Sequence, residues 1–171
     1  RPNMQKWLPA VIGGLALASS TCPGAVPILN KFNNSSDTNG WTVNYGTGTV
    51  GWSADRGPDG SGCLMIVFTG TDTNTLKIGP LWTLPSPVKG PDHIRVTYDL
   101  MIDASSGTDA SGSYGNWQEI FRDASYSWNS HWVGALDSTY NSYQQMSAPV
   151  PNNGQTFTYL CFELMGTDTS V

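Results

Sequence analysis

Apolar and polar residues alternate along most of this chain, and this two-residue period is that of a β-strand with one buried face. The clearest case is residues 94–103, in which Ile94, Val96, Tyr98, Leu100 and Ile102 alternate with Arg95, Thr97, Asp99, Met101 and Asp103. No segment after residue 25 has a helical period of convincing length. Further strand-like segments lie between Gly, Pro, Asn and Asp turn signals at 26–32, 41–45, 49–53, 63–69, 75–82, 116–122, 131–136, 142–148 and 156–164.

About ten short strands separated by turns predict an all-β fold, a two-sheet antiparallel β-sandwich of the jelly-roll type. One expected turn is the Pro-rich segment 85–87, after the strand at 75–82. The last predicted strand, 156–164, is followed only by a turn. A sandwich commonly closes with one more strand, so we expect this chain to lack the final one.

The first 25 residues have the layout of a secretory signal peptide. Met4 precedes a single cation, Lys6, and a short apolar run that ends in small residues. That run is shorter than a bilayer-spanning helix requires. Residues 1–3 precede the methionine and are interpreted as an upstream remnant. We therefore expect residues 1–25 to lie outside the fold and the protein to be secreted to the extracellular space.

The candidate cleavage points are after Ala18 and after Ala25, and residues 26–171 are expected to form one domain, which is long enough to bury about two-thirds of its unfolded surface. Only 12% of residues are charged and the net charge is −5. Nucleic acid is excluded as a partner, because a phosphate-binding surface needs dense positive charge. No membrane partner is expected, and we expect a monomeric unit within a multidomain chain.

The segment from Tyr114 to Tyr143 contains eight aromatic rings in thirty residues, set among amides and hydroxyls. Ordinary cores consist mainly of Leu, Ile and Val, so this pattern favours rings with a second role. Flat apolar rings beside neutral hydrogen-bonding groups suit a polysaccharide or oligosaccharide. The alternative is that most of these rings belong to a β-sandwich core.

Strand alternation divides the segment into two faces. Trp117, Glu119 and Phe121 share one face, and the two rings are expected in the core. Gln118, Ile120 and Arg122 face the other way. The loop at 104–113 is almost entirely Ser, Gly, Thr, Asp and Ala, which predicts either the rim of a site or an idle solvated loop. The predicted ligand-binding residues are Trp128, Trp132, Tyr126, Gln118, Arg122 and Gln145.

The chain has only two glutamates, Glu119 and Glu163, and both lie in strand-like segments with aromatic neighbours. Glycoside hydrolysis uses two carboxyl groups that face each other across the sugar. A jelly-roll glycosidase or lyase that uses this pair is therefore the catalytic alternative. No flanking motif supports it, and no Gly-x-Ser-x-Gly elbow or catalytic triad is present.

Cys63 and Cys161 are the cysteines after residue 25, and both lie in apolar segments. Export would permit a disulfide between them, and the alternative is two buried free thiols. No cofactor is expected other than a structural calcium ion. Its weak candidate ligands are Asn33, Asp37, Asp55 and Asp59, which ordinary Asn and Asp turn chemistry would also explain.

Four short motifs resemble the carbohydrate-binding modules of the family 4 and 9 type and their galactose-binding-like relatives. The motifs are Phe32, the turn Asn39-Gly40-Trp41, the strand 61–66 and the strand 98–103. The resemblance covers residues 26–171 and implies a jelly roll that is appended to secreted glycoside hydrolases and binds plant or microbial glucans, often with a structural calcium. Asn33 stands where members usually have an acidic residue.

Three hypotheses follow from the sequence. The first is a secreted, non-catalytic module that binds a neutral, β-glucan-like polysaccharide and belongs to a larger carbohydrate-active enzyme. The second is a glycosidase or lyase. The third is a structural or adhesion sandwich without a ligand, in which all the rings are core.

Overall fold

The computed structural model describes residues 8–19, 28–30, 32, 38–68, 77–90, 93–108 and 112–166. The regular secondary structure of the described residues is β-strand, apart from two three-residue 3-10 helices at Pro58–Gly60 and Asp137–Thr139. The strands are β1 (Leu8–Ser19), β2 (Ile28–Asn30), β3 (Trp41–Gly46), β4 (Gly48–Ser53), β5 (Cys63–Phe68), β6 (Lys77–Val88), β7 (His93–Ile102), β8 (Asn116–Arg122), β9 (Asn129–Ala135), β10 (Gln144–Pro149) and β11 (Phe157–Met165).

The strands form two antiparallel sheets, which confirms the predicted β-sandwich. The front sheet has the order β3-β6-β11-β8-β9, and the back sheet has the order β10-β7-β1-β5-β4, with β2 paired to β1. The chain crosses repeatedly between the sheets, as in a jelly roll. The described part of the chain contains no helix of the length and hydrophobicity that a bilayer crossing needs.

The core lies between the two sheets and is rich in aromatic rings. Trp41 stacks on Phe162 with ring centroids 5.0 Å apart, and Trp117 approaches the same phenylalanine at 5.0 Å. Trp117 and Phe121 are fully buried, so the prediction that they belong to the core is confirmed. Because Phe162, Trp117 and Phe121 point inward, their strand neighbours must point to the outer face of the front sheet.

The N-terminal segment differs from the expectation that residues 1–25 lie outside the domain. β1 occupies the middle of the back sheet, where it pairs with β7 over Ala10–Ser19 and with β5 over Leu8–Ile12. Ile12 on this strand is fully buried. A short run of small apolar residues fits a central strand buried on both faces as well as it fits a signal peptide, so the sequence pattern does not separate the two. Signal cleavage itself stays a prediction.

β6 is longer than predicted and continues through the prolines at 85 and 87, where we expected a turn. The ladder explains this difference. Tyr159 pairs with Thr83 and Phe157 pairs with Val88, so four residues of β6 bulge opposite the single residue Thr158. Proline is tolerated in such a bulge, because its missing N–H is not needed by the ladder.

Candidate functional site

Large rings are exposed on the outer face of the front sheet. Trp132 is 57% exposed, Trp128 is 49% exposed and Tyr126 is 47% exposed. Tyr45 and Tyr159 lie beside them, because Tyr45 approaches Trp128 at 6.3 Å and Tyr159 stacks on Tyr126 at 4.8 Å. We call these five residues the ring face. Exposed rings at such density are typical of a binding surface.

Arg122 lies in the centre of the ring face, at the end of β8. Its guanidinium carbon is 4.7 Å from the centroid of Trp128, 5.7 Å from that of Tyr45 and 5.8 Å from that of Tyr126. The residue is only 8% exposed. Cation–π contacts to a desolvated guanidinium are worth about 2 kcal/mol, so Arg122 helps to fix the orientation of these rings.

Glu163 lies on the same face of β11 and is surrounded by hydrogen-bond donors. The Tyr45 hydroxyl donates to its Oε2 at 2.6 Å, and Gln118 donates from Nε2 to its Oε1. The Lys77 ammonium lies 3.7 Å from Oε2. Burial above all, with the Cys161 thiol and the bond to Glu163, raises the pKa of Tyr45 well above its ordinary value. Tyr45 therefore keeps its proton and remains a donor.

The loop from Asp123 to Trp128 positions two of the exposed rings. Oδ1 of Asp123 accepts the backbone N–H groups of Ser125 at 2.9 Å and Ser127 at 3.1 Å, and these bonds, above all that from Ser127, lower the pKa of Asp123. Tyr126 has a positive φ of 60°, which is uncommon for a tyrosine. Backbone strain of this kind persists where the surrounding contacts hold it, and it concentrates at functional sites.

A small apolar floor lies beneath these polar groups on the same face. It consists of Leu81, Ile120 and Cys161, with Tyr45 and Tyr159 packed against it. Burial raises the pKa of the Cys161 thiol to about 12, although the nearby Arg122 opposes the rise. The thiol is therefore a packing group and not a nucleophile at neutral pH.

Five of the six predicted ligand-binding residues meet on this face, and the sixth does not. Trp128, Trp132, Tyr126, Gln118 and Arg122 lie together, whereas Gln145 on β10 pairs with Asp99 in the back sheet. Gln145 is separated from the other five because the chain segment rich in rings and amides crosses from the front sheet to the back sheet.

The loop at 104–113, of which residues 104–108 and 112–113 are described, connects β7 to β8. It precedes the start of β8, whereas Arg122 and the exposed rings at 126 and 128 follow its end. Seven residues of strand separate these two ends by about 23 Å. Within this loop, the carbonyl of Ala104 accepts a hydrogen bond from the Tyr140 hydroxyl at 3.0 Å.

The sequence did not identify Tyr45, Lys77 and Tyr159 as members of the site. Each reaches it through strand pairing across the front sheet: β3 with β6, and β6 and β8 with β11. Single-sequence alternation gives the face of each strand but not its neighbours in the sheet. No local signal at these three positions would have separated them from the other strand residues.

The two glutamates point to opposite faces of the front sheet. Glu119 is fully buried between the sheets, where it accepts a hydrogen bond from the Tyr98 hydroxyl and its Oε2 lies 3.0 Å from Nδ1 of His131. Glu163 lies on the outer face, with Gln118 opposite it in the ladder. Because the sheet separates the two carboxyl groups, they do not flank a common sugar as a glycosidase pair requires.

The predicted disulfide is not formed. Cys63 and Cys161 are both free and buried, one on β5 of the back sheet and the other on β11 of the front sheet. Burial also raises the pKa of Cys63, to about 11. The physical reason is that the two strands belong to different layers and Cys161 points away from the core.

The calcium expectation concerns residues that are only partly described. Asn33, Asp37 and the side chain of Asp59 lie outside the described residues, and Asp55 accepts a hydrogen bond from Ser53 at 3.1 Å. Among the described residues, no group of three or more His, Cys, Asp or Glu side chains is arranged to hold a metal ion.

Comparison of the chain with family models, with curated proteins and with solved structures found no match.

Proposed function

We propose that the protein is a non-catalytic module that binds a neutral, β-glucan-like polysaccharide chain on its ring face. The observation behind this proposal is the concentration of exposed rings. Of the five large apolar side chains exposed among the described residues, three are Tyr126, Trp128 and Trp132. Full burial of a large apolar side chain contributes about 1.5–3 kcal/mol, and each of these rings forgoes roughly half of that by staying about half exposed, which favours a role in binding.

The arrangement suits an extended ligand better than a single sugar. Trp128 and Trp132 are four residues apart along an extended segment, which is about 13 Å. Beside them on the same face lie the amide of Gln118 and the guanidinium of Arg122, which are hydrogen-bonding groups of the kind that bind sugar hydroxyls. Stacked rings would hold the apolar faces of the sugars, and the polar groups would fix their orientation.

Alanine substitution of the two exposed tryptophans tests this proposal by affinity gel electrophoresis against soluble glucans, xylan and mannan. Each ring–sugar contact is expected to contribute about 0.5–1.5 kcal/mol, so Trp132→Ala and Trp128→Ala should each weaken binding roughly 2- to 12-fold. The melting temperature of Trp132→Ala should stay close to wild type, because the side chain is more than half exposed.

Tyr140→Ala is the matched control. Tyr140 is also exposed, at 39%, but it stacks on Tyr114, which is not part of the ring face. It should not change affinity. Lack of retardation of the wild type on every polymer would exclude the binding proposal, and a large loss of stability in Trp132→Ala would show that this ring is structural.

The same polymers test the catalytic alternative. Release of reducing sugar by the wild type, abolished in Glu163→Gln, would contradict the non-catalytic assignment. Glu163→Gln keeps the size of the side chain and its capacity to accept from Tyr45, so the fold should persist.

A further inference from the structure

Arg122 is a buried cation without an anionic partner in the described part of the chain. Its Nε is buried and has no hydrogen-bond partner. No ion pair within 4.0 Å joins its guanidinium to a carboxylate of a described residue. The chain has 13 acidic and 8 basic residues, so a shortage of carboxylates does not explain this.

The two nearest acidic side chains of the front sheet are already engaged. Glu163 accepts hydrogen bonds from Tyr45 and Gln118 and forms an ion pair with the Lys77 ammonium. Asp123 accepts two backbone N–H groups on Oδ1, and its Oδ2 accepts Nε2 of Gln155 at 3.0 Å. The protein therefore supplies aromatic faces to Arg122 and directs its own carboxylates elsewhere.

Aromatic faces alone compensate a buried guanidinium only in part. They attract its positive charge but accept none of its five N–H donors in the plane of the group. Leaving a buried N–H such as that of Nε unpaired is costly, and buried charges usually acquire an anionic partner. The partner that fits the planar fork best is a carboxylate, bound through two parallel N–H···O bonds.

We propose that Arg122 forms a subsite for the carboxylate of a uronic acid carried by the polysaccharide that the ring face binds. This inference rests on the proposed function and narrows its ligand: the rings stack on neutral sugars of the chain, and a uronic acid, as a further sugar or as a substituent, places its carboxylate at Arg122. Non-specific attraction of polyanions is not expected, because the net charge of the protein is −5. The recognition must therefore be local to Arg122.

Matched pairs of polymers test the subsite without altering the protein. Glucuronoxylan, polygalacturonate, alginate and hyaluronan are each compared with the same polymer after reduction of its carboxyl groups to primary alcohols. Binding is measured by affinity electrophoresis and by quenching of tryptophan fluorescence. Carboxyl reduction should weaken binding of at least one polymer tenfold or more. Equal affinity for the native and reduced forms of every polymer that binds would overturn the subsite and leave the proposed function intact.

Substitution of the arginine is the second arm. Arg122→Met keeps the apolar stem and removes the guanidinium, so this variant should bind the native and the reduced polymer with equal affinity. Arg95→Met is the control, because Arg95 is exposed on β7 of the back sheet. Arg122→Lys should restore binding only in part, since an ammonium is not a bidentate donor.

Three further outcomes would contradict the inference outright. Dextran sulfate bound as tightly as the best uronate polymer would show general charge attraction in place of a carboxylate subsite. No binding to any acidic polymer, native or reduced, combined with retardation on a neutral glucan, would leave the ring face as a neutral site only. No binding to any polymer of either kind would overturn both the subsite and the proposed function.

Discussion

Glu119 has its carboxyl group in the aromatic core, and a chain of hydrogen bonds holds it there. Nε1 of Trp117 donates to the Tyr98 hydroxyl at 2.6 Å, and the Tyr98 hydroxyl donates to Oε1 of Glu119. Burial, together with the charge of Glu119, raises the pKa of Tyr98 well above its ordinary value, so the hydroxyl keeps the proton that it donates. A buried carboxyl group with such partners is a structural element of the core.

Removal of the Tyr98 hydroxyl should therefore cost stability. Tyr98→Phe leaves the Trp117 N–H and one oxygen of Glu119 without a partner, and each orphaned buried group costs about 1–3 kcal/mol. We expect a loss of roughly 2–4 kcal/mol in the free energy of unfolding, measured by urea denaturation.

Tyr140→Phe is the matched control for this measurement. It removes one exposed hydroxyl that donates to the carbonyl of Ala104, so its effect should stay below about 0.5 kcal/mol. Equal stability of Tyr98→Phe and the wild type would show that the hydroxyl is not needed to satisfy Glu119.

Within β8, strand alternation correctly predicted which face of the strand each residue lies on. It placed Trp117 and Phe121 in the core and Gln118 and Arg122 on the other face, as the structure has them. It also put Glu119 on the core side. What alternation could not predict is the environment of Arg122, because Tyr45 belongs to a strand more than seventy residues earlier in the chain.

At the scale of elements, the corner between β3 and β4 takes the chain from the front sheet to the back sheet. Gly46 ends β3 with φ +84°, and a Cβ built on it would lie 1.9 Å from the carbonyl oxygen of Lys77. The next residue, Thr47, donates its N–H to that same carbonyl at 3.0 Å. The corner thus requires both the left-handed conformation and the absence of a side chain.

Gly46→Ala should therefore destabilise the protein by about 2 kcal/mol or more, through backbone strain and the displacement of β6. Gly51→Ala on β4 is the control, because a Cβ there meets no atom within 4 Å. The free energies of unfolding of the two variants are measured by urea denaturation. A larger loss in Gly46→Ala than in Gly51→Ala separates a local requirement for glycine from the low propensity of alanine for strands. A stable Gly46→Ala would mean that the corner can rearrange without cost.

Most elements could be predicted from sequence, and the error at β6 has a physical cause. β8 was predicted with its observed bounds, and β4 and β5 each within one residue. β6 was predicted too short because its prolines are typical of turns, whereas the observed bulge removes the need for their N–H groups. Local composition does not reveal a ladder irregularity that depends on the opposite strand.

At the scale of the whole molecule, the sandwich was predictable but the membership of the back sheet was not. β5 and β7 do not pair with each other, and both pair with β1 between them. The sequence of β1 is short, apolar and rich in small residues, which suits two structures: the centre of a sheet and the apolar region of a signal peptide. Only the partner strands distinguish the two, and they lie far along the chain.

Removal of residues 1–25 should consequently disrupt the back sheet, because it separates β5 from β7 and exposes the inner strands of both halves. Circular dichroism and urea denaturation of a chain that starts at Val26 should show loss of the cooperative transition of residues 1–171.

In the full chain, Ile12→Ala should lower the free energy of unfolding by about 2–5 kcal/mol and Ile12→Val by about 0.5–1.5 kcal/mol, because the side chain is fully buried. If the shortened chain instead folds with undiminished stability and Ile12→Ala changes nothing, β1 is dispensable and the signal-peptide interpretation gains support. The intact mass of the exported protein would then locate the cleavage site.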